Sequence, residues 1–118
     1  MKIVLDANFL VDCMRFNTGL IELAGNEVFI TDSIMLEIEK LAKGRDRHAL
    51  PARLALEYVK RECLKELKPK EKNTDLSLLN LSKTGYVIAT NDRLLRTRVK
   101  KAGGKVMFIR QKKYVFCE

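Results

Sequence analysis

The chain has 118 residues, of which 47% are apolar, and carries 23 Lys and Arg against 15 Asp and Glu, a formal net charge of +8. This length predicts a single domain over residues 1–118 with a core large enough to fold unaided. No run approaches the roughly 20 apolar residues of a membrane helix, and Asp6 comes too early for a secretory signal, so we expect a cytoplasmic protein. Three widely spaced cysteines without a CxxC pair predict neither a zinc site nor a disulfide framework.

Short runs rich in β-branched residues alternate with amphipathic stretches along the chain. This alternation is typical of βαβ units. We therefore predict an α/β fold of three layers, with a central, mainly parallel five-stranded sheet and helices on both faces. The predicted strands cover residues 2–6, 27–31, 64–68, 86–90 and 105–109.

Helices are predicted in the connections between these strands. Thr31-Asp32-Ser33 offers N-capping oxygens to one helix, and Asn73 or Thr74 caps a later one. Leu50, Leu54 and Tyr58 recur every four residues and indicate an apolar helix face. The predicted helices run over 8–16, from 18 to about 25, from 34 to Gly44, across 50–58, from 75 to Gly85 and over 92–102.

Four acidic residues lie where a strand or helix boundary can direct them toward one point: Asp6, Glu37, Asp75 and Asp92. Asp6 ends the first strand and Asp92 follows the fourth, so in a parallel sheet both emerge at the edge where open α/β sheets bind ligands. Mg²⁺ prefers oxygen ligands, and clustered carboxylates with one or two such ions hydrolyse phosphodiesters. The neutral neighbours expected to orient the carboxylates or hold a metal-bound water are Asn8, Thr90 and Asn91.

Each acid also has a purely structural explanation. For Asp6 the alternative is a solvated strand end, although an acid directly after an apolar strand is unusual unless its carboxylate is used. For Glu37 the alternative is an exposed helix position. Asp75 in the first turn of a helix interacts favourably with the helix dipole. Asp92 in front of a helix is an ordinary N-cap. These explanations do not exclude metal binding, because a carboxylate has two oxygens.

A block of nine basic residues without an acid extends from Arg93 to Lys113. Such a block favours binding of a polyanion, because cations neutralise phosphates and release their counterions. The alternative explanation is a lysine-rich face that is merely solvated. Tyr86 and Phe108 fall within predicted strands and are expected in the core, not as platforms for base stacking. The residues predicted to contact RNA are Arg93, Arg96, Arg98, Lys100 and Lys101.

Taken together, these residues resemble the PIN-domain family, which comprises metal-dependent nucleases built on a doubly wound sheet. The matching segments are 3–8, 29–41, the helix that contains Asp75, and 87–92, in the family's order. The resemblance implies that the catalytic residues are also the ligands of Mg²⁺ or Mn²⁺, with Thr90 as a small hydroxyl residue near the last acid. The implied set is Asp6, Glu37, Asp75 and Asp92. Many relatives carry a further acid where this chain has Leu94. The missing acid argues against a fully occupied second metal site and leaves a one-metal site intact.

Within the family, segments 30–41 and 94–110 look like the branch of eukaryotic small-subunit rRNA-processing nucleases and their archaeal relatives. Related single-domain chains are VapC toxins. The resemblance thus implies an endoribonuclease acting on RNA, either in rRNA processing or as a toxin. Its implied partners are a ribosomal precursor particle, a cognate antitoxin or a second copy of the chain.

Two other functions fit parts of the pattern. A non-catalytic RNA-binding or ribosome-assembly protein would retain the same fold and keep the acids for structure alone. A phosphoacceptor receiver domain also places acids at strand ends, but it normally has adjacent early acids and a lysine after the last strand. Here Leu5 precedes Asp6 and Arg110 follows Ile109, so the receiver domain is the least favoured function.

Overall fold

The computed structural model describes all residues, 1–118, and contains one six-stranded sheet with six helices. The strands are β1 (Lys2–Leu5), β2 (Glu27–Thr31), β3 (Lys65–Leu67), β4 (Val87–Ala89), β5 (Val106–Arg110) and β6 (Tyr114–Cys117). The helices are α1 (Ala7–Phe16), α2 (Leu20–Leu23), α3 (Asp32–Ala42), α4 (Ala49–Arg61), α5 (Thr74–Ser82) and α6 (Arg93–Lys101). No helix is both long enough and apolar enough to cross a membrane.

The strand order in the sheet is β3-β2-β1-β4-β5-β6. The first five strands are parallel, and β6 returns antiparallel to β5. The chain therefore adds strands on one side of β1 and then on the other, so that β1 and β4 flank the switch point. In open α/β sheets the ligand crevice lies at the carboxyl ends of those two strands.

The centre of the sheet forms the core because helices cover it on both faces. Ile3, Val4 and Leu5 of β1 are each fully buried. Strands buried on both faces read as continuous apolar runs, and this explains why β1 lacks an alternating pattern. Helices α1, α3 and α4 pack together as one group, and α5 and α6 pack together as another.

The predicted fold class is confirmed, but the predicted count of five strands is one short. The strand β6 joins β5 through a turn at Gln111 and Lys112, whose φ angles are 55° and 58°. The loop has three residues, because Arg110 pairs with Tyr114. Hairpin turns with positive φ at two successive positions normally carry Asn-Gly or a similar pair there. Because this turn carries Gln and Lys, the sequence gives no hairpin signal.

The buried face of α4 differs in part from the prediction, because Tyr58 is buried as expected but the two predicted leucines are not. Leu50 is 62% exposed and Leu54 is 40% exposed, whereas the alanines of the helix are buried. The buried positions Ala49, Ala52 and Ala55 face the helices that α4 packs against, α1 and α3. Small side chains allow this close packing and leave the larger leucines on the solvent side.

Candidate functional site

An open cavity of about 400 Å³ lies at the carboxyl edge of the sheet, and no apolar side chain lines it. It contains all four predicted acids and one of the predicted neutral neighbours. The lining residues are Asp6, Asn8, Glu37, Asn73, Thr74, Asp75 and Asp92. The fold thus gathers carboxylates from four separate segments around one polar space.

Asp6 is the most buried acid of this cavity, with 7% of its surface exposed. It follows β1 and is the N-cap of α1, where its Oδ1 accepts a hydrogen bond of 2.9 Å from the backbone N–H of Ala7. Its Oδ2 accepts a hydrogen bond of 2.7 Å from the hydroxyl of Thr90, which is itself fully buried. The carboxylate is therefore held at both oxygens.

The pKa of Asp6 is raised to about 6, mainly by burial and to a smaller extent by the neighbouring charges of Glu37 and Asp75. The hydrogen bonds from Thr90 and Ala7 act in the opposite direction. Burial likewise raises the pKa of Glu37, with a second contribution from the Asp75 carboxylate. These carboxylates therefore repel one another, and a bound cation would reverse the local balance by favouring their charged forms.

Glu37 and Asp75 reach the cavity from α3 and from the first turn of α5. A hydrogen bond of 3.2 Å from the Thr74 hydroxyl to the Ser33 hydroxyl joins the starts of these two helices. Asn73 caps α5 by accepting a hydrogen bond of 2.9 Å from the backbone N–H of Leu76. Asn73 and Thr74 were predicted only as capping residues, yet both also line the cavity.

Asp92 both caps a helix and lines the cavity. Its Oδ1 caps α6 by accepting hydrogen bonds of 2.9 Å and 3.3 Å from the backbone N–H groups of Leu94 and Leu95. Its own N–H donates to the Thr90 hydroxyl at 3.1 Å. Because one carboxylate oxygen satisfies the helix, Oδ2 is left for a ligand.

Asn91 does not line the cavity but fastens the loop that carries Asp92. Its side chain donates to Asp12 Oδ2 at 2.9 Å and accepts from the backbone N–H of Ile109 at 2.8 Å. Its backbone N–H donates to Asn8 Oδ1 at 3.0 Å. The sequence does not single out Asp12, because nothing in its pattern separates it from an ordinary solvated helix residue.

No group of three or more Asp, Glu, His or Cys side chains is close enough in the structure to hold a metal ion directly. The four acids line one cavity but are not close enough together to coordinate one ion directly. The assignment of all four as metal ligands therefore remains a prediction. The donor chemistry nevertheless suits Mg²⁺, which keeps several waters and is usually bound by one or two carboxylates. At the position of the additional family acid, Leu94 is 69% exposed and offers no ligand.

Comparison with known proteins identifies the family. The family model described as "PIN like domain" matches residues 3–112. The chain belongs to the PIN-domain family. It is 34% identical to ribonuclease VapC4 of Methanocaldococcus jannaschii, over 96% of this chain and 93% of that protein.

Solved structures agree with this assignment. The PIN domain endonuclease Utp24 superposes with a TM-score of 0.76 at 26% identity, over 97% of this chain and 90% of that one. A domain of a functionally unknown protein from Methanocaldococcus jannaschii superposes with a TM-score of 0.63 at 19% identity, over 92% and 91% of the two chains. The second likeness bears on the fold alone.

The basic residues of this PIN domain are not equally available to a ligand. Arg93, Arg98 and Lys101 are exposed on α6. Lys100 forms a salt bridge of 2.9 Å with Glu118, so a phosphate would have to displace that carboxylate. Of the five residues predicted to contact RNA, Lys100 is therefore the least suited.

Proposed function

We propose that this protein is an endoribonuclease that hydrolyses RNA phosphodiester bonds with the help of Mg²⁺ or Mn²⁺. The observation that carries the proposal is the convergence of Asp6, Glu37, Asp75 and Asp92 on one wholly polar cavity. Membership of the PIN-domain family supports it, as do the names of the similar proteins, a ribonuclease and a PIN domain endonuclease.

The four acids are the proposed metal ligands and catalytic residues. A bound divalent ion supplies an activated water at neutral pH and offsets the charge of the phosphate. The Thr90 hydroxyl orients the Asp6 carboxylate, and capping of α6 orients Asp92. Asn8 lies beside both acids and is suited to hydrogen-bond a water or a phosphate oxygen.

RNA is the proposed substrate because the cavity lies next to exposed cationic residues on α6. Arg93 directly follows Asp92, and neither Arg93 nor Arg98 belongs to a salt bridge. Cations that are not already neutralised release counterions when they bind phosphates, which makes RNA affinity depend on salt. We therefore assign phosphate binding outside the cavity to Arg93, Arg98 and Lys101.

The direct test is cleavage of a circular single-stranded RNA, which only an endonuclease can open. We expect linear products with Mg²⁺ or Mn²⁺ and none in chelator. Asp6→Asn should lower the rate by at least about 100-fold, because it removes a charge placed at the reacting centre. The matched control is Asp46→Asn, which makes the same change at an exposed loop position outside the cavity. Wild-type protein that leaves the circle intact with both ions would reject the proposal.

A non-catalytic RNA-binding protein is the second candidate, favoured by the lack of three acids at direct ligand spacing. In that case Asp6→Asn would leave RNA binding unchanged, and neither the wild type nor the variant would cut RNA. Calorimetric titration with Mn²⁺ separates the two candidates further. The nuclease should bind the ion and lose that binding in Asp6→Asn, whereas the binding protein should show no difference.

Two cellular roles fit the proposed activity, namely a VapC-type toxin and an rRNA-processing nuclease. The first would have an antitoxin as its partner and the second a ribosomal precursor particle. Expression of the wild-type protein and of Asp6→Asn in a bacterial host distinguishes them. Growth arrest by the wild type alone favours the toxin, and normal growth with both favours RNA maturation.

A further inference from the structure

A strip of aromatic and arginine side chains crosses one face of the β5–β6 hairpin. We call it the hairpin strip and define it by Arg96, Phe108, Arg110, Tyr114 and Phe116. The Arg96 guanidinium lies 3.8 Å from the centroid of the Phe108 ring. The rings of Phe108 and Phe116 are 5.6 Å apart, and the Arg110 guanidinium lies 5.1 Å from the Phe116 ring. The strip is therefore a continuous series of π faces and cations.

Strand register explains why these residues share a face. Phe108 pairs with Phe116, and Arg110 pairs with Tyr114. Paired residues of neighbouring strands point to the same side, and so do residues two apart along one strand. Phe108 was expected in the core, but it is only partly buried, and Tyr114 is 42% exposed. The hairpin thus keeps aromatic surface accessible on a strand at the edge of the sheet.

The cations of the strip form no salt bridge. The three salt bridges of the protein join His48 to Asp46, Arg61 to Glu62 and Lys100 to Glu118. Arg96 and Arg110 take part in none of them, and Arg96 Nε is buried without a hydrogen bond. Cation–π contacts hold both guanidinium groups against aromatic rings. Glu118 and Asp92 attract Arg96 only from beyond salt-bridge distance, so both cations can still bind an anion.

The strip is also connected to the acidic cavity. Arg96 lies one helical turn beyond Asp92, and its backbone N–H donates to the Asp92 carbonyl at 3.0 Å. At the other end, β5 is parallel to β4 and finishes at Arg110, on the same sheet edge as the cavity. A chain leaving the cavity past α6 would therefore meet the strip next.

We propose that the hairpin strip binds nucleotides of single-stranded RNA that flank the bond cleaved in the cavity. This inference rests on the proposed function and extends it to a second contact surface. Bases stack on Tyr114 and Phe116, and phosphates bind Arg96 and Arg110. Aromatic rings beside cations are the usual means of holding single strands without reading their sequence. Charge favours RNA over a second copy of the chain, because two copies would bring their unpaired cations together.

The test compares two fluorescently labelled RNAs in chelator, where no cleavage occurs. One has about 4 nucleotides and fills only the cavity, and the other has about 16 and reaches the hairpin. Tyr114→Ala should weaken binding of the long RNA by about 5- to 10-fold through loss of stacking, and leave the short RNA unaffected. Tyr114→Phe keeps the ring and should bind as the wild type does.

Salt dependence separates the cationic contribution from stacking. Arg110→Gln should reduce the slope of log affinity against log salt by about 0.7 for the long RNA, while Tyr114→Ala leaves the slope unchanged. Lys105→Gln is the matched control, since it removes the same charge from the same basic block outside the strip. Equal effects of Arg110→Gln and Lys105→Gln would show that only net charge matters and would overturn the proposal.

Photocrosslinking gives a readout that does not depend on a stable variant. A long RNA containing 4-thiouridine should crosslink to Tyr114 or Phe116 of the wild-type protein, as located by mass spectrometry. Crosslinks confined to other segments would overturn the proposal. So would a change of sedimentation in Tyr114→Ala with unchanged RNA affinity, because the strip would then contact protein.

The strip and the nuclease activity can fail separately. Unchanged binding of long RNA by the strip variants, with cleavage retained, rejects the strip and keeps the proposed function. Wild-type protein that binds long RNA through the strip but cuts nothing in Mg²⁺ or Mn²⁺ rejects the nuclease and keeps the strip as an RNA-binding surface.

Discussion

The hydroxyl of Thr90 connects the two acids that follow the central strands. It donates to Asp6 Oδ2 at 2.7 Å and accepts from the Asp92 backbone N–H at 3.1 Å. Strand register produces this arrangement, because Leu5 pairs with Ala89 and the next residue on each strand then meets across the sheet. One buried side chain thereby sets the position of Asp6 and of the loop before α6.

Replacing Thr90 with Val should therefore disturb both acids while preserving side-chain volume. Without the hydroxyl, the pKa of Asp6 should rise above its present value of about 6, because that hydrogen bond lowers it. The acid limb of the profile of cleavage rate against pH should move to higher pH. Leaving buried polar groups unpaired should also cost about 1–3 kcal/mol in the free energy of unfolding.

Thr90→Ser retains the hydroxyl and is the first control for this change. Thr84→Val is the second, since it removes a hydroxyl that donates to the Leu81 carbonyl on the exposed side of the protein. A Thr90→Val protein with an unaltered pH profile would show that the hydroxyl does not act on the Asp6 carboxylate.

The raised pKa of Asp6 predicts how the metal-free protein responds to pH. The pKa of its carboxyl is about 6 in the folded protein, against an ordinary value of 3.8. The folded state therefore binds more protons between these values, and stability should fall as pH rises through that interval. Each unit of pKa difference corresponds to about 1.4 kcal/mol, so we expect a loss of about 2 to 3 kcal/mol.

Asp6→Asn should remove this dependence, because the amide stays neutral at every pH. Urea unfolding in chelator should show equal stability of the two proteins near pH 4 and a more stable variant at pH 7.5. Added Mg²⁺ should then stabilise the wild type and not the variant, since only the protein that binds the ion gains free energy from it. A wild type that stays equally stable from pH 4 to 7.5 would contradict the assigned burial of a charge.

Much of this site follows from the sequence, and the reasons are local. Asp6 and Asp92 were predictable because each directly follows an apolar strand run at the switch point. Asn91 was predicted as a supporting residue, but its hydrogen bond to Asp12 was not, because the two residues are 79 positions apart and polar residues of this kind are normally solvated. The strand β6 was missed for lack of a turn signal, and with it the neighbours of Phe108.

Asn91→Ala tests whether the side-chain hydrogen bonds of Asn91 position Asp92. The change removes the hydrogen bonds to Asp12 and to the Ile109 N–H, so we expect a loss of about 1–3 kcal/mol in stability and a lower cleavage rate. Asn80→Ala is the matched control, because Asn80 donates a comparable hydrogen bond of 2.8 Å to Glu71 outside the cavity. Equal cleavage by the two variants would limit Asn91 to a structural role.

The salt bridge between Lys100 and Glu118 predicts a variant that binds RNA more tightly. Glu118→Gln frees the lysine, so the affinity should rise and the salt slope should steepen by up to about 0.7. Glu66→Gln makes the same change in net charge on the exposed strand β3 and is the control. Anisotropy titrations at several salt concentrations measure both effects, and identical results for the two variants would leave Lys100 without a part in binding.

Gly19 provides a test of how the hairpin is held against α1. Its φ angle is 90°, and a Cβ placed there would lie 2.8 Å from Cys13 Sγ and 3.2 Å from Val115 Cγ2. Gly25 has a φ angle of 80° with no atom near such a Cβ. Both alanine variants should lose about 1–2 kcal/mol through left-handed backbone strain. Gly19→Ala should lose about 1–3 kcal/mol more, because overpacking must move Cys13 or the strand β6.

Urea unfolding of the two alanine variants measures that difference directly. If β6 moves, Gly19→Ala should also weaken binding of the long RNA while cleavage of a short RNA continues, because no residue of β6 lines the cavity. Gly25→Ala should leave both properties unchanged. Equal stability losses in the two variants would mean that the Gly19 contact is relieved by a side-chain shift, and the hairpin strip would then keep its position.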